Sequence, residues 1–251
     1  MKSDRVKDGE PYYHQISHGF SVADEDEINT LLNYSGQRRL FEGAVFRIAR
    51  TECVSKSLTE VEAICERLGV GASVTMFMAD PNPAKHRCDD HDTANRIAES
   101  MFSAASLGKV ELIVDTFIDL DRGHNVRNGV IDRLCNPRPA MFVVQNLIAI
   151  LNSEWEVSGP LSYGNFDNGR WVCANQPERS LVLIAANAPK RRFELSIKDC
   201  QQKIGGVGQV LNLVSGKIEP ISIITSDTGI VLESKESTSG PLLILSQRAW
   251  N

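Results

Sequence analysis

The sequence predicts an α/β unit followed by an all-β unit. Three observations carry that expectation. Between Ala44 and Asn152, short apolar runs alternate with stretches whose apolar residues recur at helical spacing. After about residue 158 the helical spacing stops, and short runs of period two follow one another, separated by turn residues. Between the two lies Glu154–Pro160, a polar stretch that marks the change of pattern.

Residues 1–43 carry no sustained periodic pattern and are expected to be a largely irregular extension, with one short helix over Glu25–Tyr34. Ala44–Ala49 is the first expected strand. Ser57-Leu-Thr-Glu60 has the form of a capping box, and Leu58, Val61, Ile64, Cys65 and Leu68 make the apolar stripe of a helix ended by Gly69. Ala72–Ala79 is the second strand. Asp92 is placed to cap a second helix whose inner face is Ala94, Ile97, Ala98, Met101, Phe102 and Ala105. Val110–Leu120 is the third strand. Asn136-Pro137 then announces a helix over Pro137–Asn152, with Asn as cap and Pro in the first turn. Strands alternating with helices imply parallel pairing through right-handed crossovers, either in a layered α/β sheet or in part of a (β/α) barrel. In the remainder, Asn168-Gly169 is a hairpin signal, and further strands are expected at 162–166, 170–174, 181–186, 192–197, 209–214, 219–224, 229–233 and 242–247.

Composition narrows the function classes. The chain has 251 residues, 42% hydrophobic and 24% charged, with a net charge of −5. That charge gives no reason to expect nucleic acid or an acidic membrane surface as partner. No apolar run approaches the roughly 20 residues that span a bilayer. The first residues lack the apolar core of a signal peptide, and the six cysteines are scattered without a C-x-x-C pair. Both point to free thiols in a cytoplasmic protein.

The chemistry concentrates in Val110–Arg138. Asp115, Asp119 and Asp121 interrupt or follow an apolar run at even spacing, so an extended strand would direct all three to one face. Arg122, His124 and Arg127 follow in a polar loop. Buried charge without partners is costly. One reading is an ion-pair network of these aspartates with Arg122, Arg127 or Arg133. The other is a substrate site at the carboxyl end of a parallel strand. His86, Cys88, Asp89, Asp90 and His91 are metal-compatible residue types, but their spacing matches no zinc pattern and a polar loop is the better reading. Gly205, Gly206 and Gly208 lack the lysine and the βαβ setting of a phosphate loop and read as a turn. No metal and no cofactor are expected. Trp155, Trp171 and Tyr163 are read as aromatics anchoring a junction rather than as a sugar-stacking face.

The segments FEGAVFRIA, SVTMFMADPNPA and DTFIDLDRGHNVRNGVIDRLCNPRPA, followed by the all-β tail, resemble the C-terminal half of a (β/α)8-barrel glycoside hydrolase with its C-terminal β-sandwich. The resemblance implies a partial (β/α) barrel of three βα units at 44–153 and a β-sandwich at 158–251. It implies a glycoside-hydrolase-like, carbohydrate-related protein with a truncated barrel. Glycosidases of this kind use two carboxylates. The implied catalytic set is Glu52, Asp115 and Asp119, with Asn82, Asp121, Arg122, His124 and Arg127 binding substrate. The second strand ends Met78-Ala79-Asp80-Pro81, without the glutamate that many retaining enzymes place there. The alternative is therefore a non-catalytic carbohydrate-binding or assembly module. Three apolar parallel strands also have two open edges, so self-association or a partner chain over the open side is expected.

Overall fold

The computed structural model describes residues 12–16, 41–48, 53–69, 71–78, 90–115, 117–119, 129–151, 160–175, 179–196, 206–226 and 229–247. Four strands, β1 (Tyr12–Ile16), β2 (Phe41–Ile48), β3 (Gly71–Phe77) and β4 (Val110–Asp115), form a parallel sheet in the order β1-β2-β3-β4. Three helices are present among the described residues: α1 (Val54–Leu68), α2 (Asp90–Leu107) and α3 (Pro139–Leu151). Eight further strands follow: β5 (Leu161–Phe166), β6 (Gly169–Asn175), β7 (Arg179–Ala186), β8 (Lys190–Leu195), β9 (Gly206–Asn212), β10 (Ile218–Ser226), β11 (Gly229–Thr238) and β12 (Leu242–Gln247). They make one antiparallel sheet in the order β5-β6-β7-β12-β9-β10-β11-β8. No helix among the described residues is long and apolar enough to cross a membrane.

This architecture overturns the expected fold class. The chain is not a partial (β/α) barrel of three βα units with a two-sheet sandwich behind it. Most of its strands are antiparallel. The eight-stranded sheet is single and nearly closed, like a barrel, because its end strands β5 and β8 come into contact. Phe166 at the end of β5 stands edge-on to Phe193 of β8, with ring centroids 5.9 Å apart. Lys190 Nζ donates to the Asp167 carbonyl at 2.8 Å and to its carboxylate at 3.0 Å. The parallel sheet gains a fourth strand, β1, from the segment expected to be irregular. Two aromatic residues and an isoleucine in Tyr12–Ile16 suit a strand, but five residues are too few for a periodic signal to stand out.

Several boundaries also differ. α1 starts at Val54 with Cys53 at its N-cap, so Ser57 lies inside the helix and forms no capping box. α3 starts at Pro139, because Asn136 is held by the Asp132 side chain, which accepts from the Asn136 N–H at 2.8 Å and from its amide at 2.9 Å. The hairpin turn between β5 and β6 is Asp167-Asn168, with Asn168 at φ 66°, and Gly169 begins β6. A Cβ there would lie 2.5 Å from the Ala185 carbonyl oxygen, which excludes larger residues. The expected helix at 25–34 lies outside the described residues.

Two apolar clusters organise the packing. One fills the inside of the curled sheet, with Cys173, Val182, Ile184, Phe193, Ile221, Ile244 and the Trp171 indole. The other joins the helices to both sheets. Val74 and Met76 of β3 pack through Ile97, Phe102, Val143 and Leu147 against Leu181, Leu183, Leu211 and Leu243 on the outer face of the curled sheet. Each buried side chain of this size contributes about 1.5–3 kcal/mol of hydrophobic stabilisation. α2 lies between the two sheets and is buried nearly all round, which brings seven polar residues into the interior with it.

Candidate functional site

Those buried polar groups locate the site. Glu99 of α2 is 1% exposed. Its Oε1 accepts from the Ser55 N–H at 3.2 Å, from the Ser55 hydroxyl at 3.1 Å and from the Cys53 thiol at 3.8 Å. Cys53 at the N-cap of α1 makes no side-chain cap bond, so a carboxylate from the neighbouring helix satisfies a free N–H of its first turn. On the other side, Arg170 Nε of β6 lies 3.1 Å from Glu99 Oε2, an ion-pair contact without hydrogen-bond alignment. Burial pushes the Cys53 thiol pKa up, and the nearby Glu99 charge adds to this, while a backbone hydrogen bond and Arg170 oppose it. The neutral thiol is thereby favoured.

The N-terminal end of α2 is docked on the curled sheet. His91 Nε2 lies 2.7 Å from the Ala186 carbonyl oxygen, which also accepts from Asn95 Nδ2 at 3.1 Å and from the Gly240 N–H at 3.2 Å. Gly240 makes this approach possible, since a Cβ there would lie 2.8 Å from Asn95 Oδ1.

Between these two attachments opens a cleft of about 480 Å³. Met78, just past the end of β3, lies at its base. Asp92, Thr93, Asn95 and Arg96 line it from α2. Asn165, Phe166 and Arg170 line it from the β5–β6 hairpin, and Asn187 lines it from the end of β7. It is therefore a crevice outside the carboxyl end of a parallel strand, where α/β sheets ordinarily bind ligands. Among the described residues its lining offers amide, guanidinium and hydroxyl groups, one aromatic ring and one carboxylate, Asp92.

The expected site residues distribute differently. Glu52, Asn82, Asp121, Arg122, His124 and Arg127 lie outside the described residues. Asp115 ends β4 and is half-buried. Asp119 is 7% exposed but stands beyond the strand, next to a short parallel bridge of Ile118 with Ile131, so even spacing does not put Asp115 and Asp119 on one strand face. Its Oδ1 accepts from the Gly129 N–H at 2.8 Å and its Oδ2 from Arg138. Arg138 also donates to Asp90 at 2.8 Å. Burial alone would lower the Arg138 pKa, but hydrogen bonds and charge from Asp119 and Asp90 outweigh it and raise it. Arg138 is thus a cation found on Asp119, while Arg122 and Arg127 lie outside the described residues. The ion pair ties the end of β4 to the starts of α2 and α3.

Trp171 is 5% exposed, inside the curled sheet, and offers no stacking face. His86, Cys88 and Asp89 lie outside the described residues, and among the described residues no three histidine, cysteine or acidic side chains converge as metal ligands would. Arg96, Asn165, Arg170 and Asn187, which line the cleft, were not singled out by sequence. A charged residue on the inner side of an otherwise apolar helix stripe, as Arg96 and Glu99 are, was the available signal.

No protein-family model matches the sequence, and no curated protein sequence matches it. Solved structures do. A family 39 glycoside hydrolase from the gut symbiont Bacteroides cellulosilyticus WH2 superposes with a TM-score of 0.52 at 10% identity, over 88% of this chain and 47% of that one. A maltogenic α-amylase from Thermotoga neapolitana superposes with a TM-score of 0.47 at 9% identity, over 94% of this chain and 61% of that one. The chain spans about half the length of the first. At such identity the likeness concerns the fold alone, and the fold is glycoside-hydrolase-like.

Proposed function

We propose that this chain is a carbohydrate-related protein that holds a saccharide in the cleft between α2 and the β5–β6 hairpin without cleaving it. The observation that carries this reading is the lining of the cleft. Asn165, Asn187 and Arg170 can exchange hydrogen bonds with sugar hydroxyls, and Phe166 adds an apolar edge. Glycoside hydrolysis needs two carboxylates across the scissile bond, about 5–5.5 Å or about 6.5–9.5 Å apart. Among the described residues the cleft has one, Asp92. The glycoside-hydrolase-like fold supports a carbohydrate as the ligand class.

Calorimetric titration with a panel of neutral and acidic oligosaccharides tests the reading, alongside an assay with aryl glycosides. Binding without turnover is the expected result. Asn165→Ala and Asn187→Ala should each weaken binding by about 2- to 10-fold, the usual range for one hydrogen bond. Turnover that is lost in Asp115→Asn would instead establish a hydrolase. No binding at millimolar sugar would overturn the proposal.

A further inference from the structure

Six of the eight large apolar side chains exposed among the described residues come from the stretch of chain that runs from β4 through α3: Ile113, Phe117, Ile118, Leu134, Phe142 and Ile148. Leu134 is 82% exposed and Phe117 57%. β4 ends the parallel sheet, so its outer edge has no neighbouring strand among the described residues. Edge strands are commonly blunted by lysine, proline or a bulge, and Val110–Asp115 has no lysine, no proline and no register shift. α3 packs beside α2, the helix that itself packs on β4, and contains no charged residue. A helix apolar all round is normally covered all round. Phe142 and Ile148 nevertheless face solvent.

We infer that two copies of this chain associate about a two-fold axis through β4, edge to edge and antiparallel, with α3 of each copy meeting across the axis. Charge selects both the occupant and the register. A two-fold axis perpendicular to the sheet keeps both helix layers on one side and pairs a central residue with itself. Centred on Glu111, Ile113 or Asp115, the pairing sets carboxylates opposite one another. Centred on Val110 it sets Lys109 across from Glu111 but engages only the start of the strand, and centred on Val114 it brings no opposite charges together within the strand. Centred on Leu112 it sets Lys109 of one copy across from Asp115 of the other, at both ends of the pairing. Opposite charges directly across strands stabilise, and like charges destabilise. Lys109 meets Glu66 at 2.7 Å in an exposed contact, which leaves its ammonium accessible to a second carboxylate. The six apolar side chains together expose on the order of 600 Å², close to the ~800 Å² that each partner contributes to a standard interface. This contact is independent of the cleft and of what the cleft binds.

Light scattering of the full chain across dilution reads the association directly. The expected mass at high concentration is twice 27.7 kDa. Lys109→Glu should weaken the dimer at least tenfold, and Lys109→Glu combined with Asp115→Lys should restore it. Phe142→Lys should weaken it similarly, with circular dichroism confirming that each variant is folded. Leu112→Cys in a Cys135→Ser background, which leaves the charges untouched, should crosslink rapidly on oxidation. Self-paired residues of an antiparallel pair lie about 4.5–5.5 Å apart at Cα, within disulfide reach. Ile113→Cys, displaced by two positions from its own copy, should crosslink much more slowly. A mass of 27.7 kDa at every concentration would overturn the inference. So would a dimer indifferent to Lys109→Glu and Phe142→Lys, or a dimer in which Leu112→Cys and Ile113→Cys crosslink alike.

Discussion

The curled antiparallel sheet brings its first strand, β5, back to its last, β8, whereas the parallel sheet stops at β4 with an exposed isoleucine beside the edge. The curled sheet covers its inner face with its own side chains and its outer face with α2 and α3. In the parallel sheet, the packed side among the described side chains of β3 and β4 is chiefly the helix side. Val74 and Met76 of β3 and Val110 of β4 are buried there, while Ser73, Thr75, Glu111, Ile113 and Asp115 alternate onto the other face. Met76 and Met78 are fully buried in the core shared with the helices. The contrast separates two kinds of stability. The curled sheet has an inner core made by its own strands, whereas the described core of the parallel sheet is the one it shares with the helices.

Four substitutions or titrations probe that contrast, and the largest effect is expected at the seam. Phe193→Ala empties the ring contact with Phe166 and should lower unfolding free energy by about 3–5 kcal/mol in urea denaturation. If the seam were incidental, the loss would fall to the size of an ordinary surface change. Glu99→Gln comes next. It weakens the Arg170 pair that links α2 to β6 and replaces the carboxylate at the start of α1 with a neutral amide. Breaking a fully buried pair costs 3–5 kcal/mol; because Arg170 is partly exposed, about 2–3 kcal/mol is expected here. A loss confined to the mobility of the α/β elements, read by hydrogen exchange, would show that the curled sheet stands without the link.

Thiol chemistry distinguishes the regions more gently. Burial raises the Cys65 thiol to about 11, and Cys173 lies inside the curled sheet, whereas Cys135 is exposed. At pH 8 a maleimide reagent should modify Cys135 well before Cys65 or Cys173. Mass spectrometry of partly labelled protein checks the order, and early labelling of Cys173 would mean the curled sheet opens readily. The smallest effect concerns Asp132. Hydrogen bonds from the Asn136 side chain and N–H, with a further one from the Leu134 N–H, hold its carboxyl below the ordinary range. A depressed carboxyl pKa stabilises the loop fully above the unfolded value of about 4, and that contribution is lost as pH falls through the folded value. Amide exchange at Leu134 and Asn136, corrected for intrinsic rates, should therefore speed up only below about pH 4. Acceleration nearer neutrality would count against the assigned contacts.

Local pattern was enough to place most strands and the three described helices, because hydrophobic period is written within ten or so residues. The runs around Leu181–Ala186 and Leu242–Gln247, or the stripe Ile97–Phe102, need no distant information. The way the strands close is different. A two-sheet sandwich and a single curled sheet demand the same alternating pattern, so only the pairing of β12 with β7 and β9, and the contact of Phe166 with Phe193, decides between them. Partner choice for charges was equally out of reach. Sequence proximity pointed Asp119 at Arg122, Arg127 or Arg133. The bridge of Ile118 with Ile131 and the return of the chain through Pro137 bring Arg138 to it, a partner that sequence proximity did not suggest. The cleft depends on the same kind of fact. Arg96 and Arg170 are 74 positions apart in the sequence, and nothing local relates them. The carboxylate Glu99, one helical turn from Arg96, draws Arg170 to α2, since a buried charge must find its counter-charge wherever the fold supplies one.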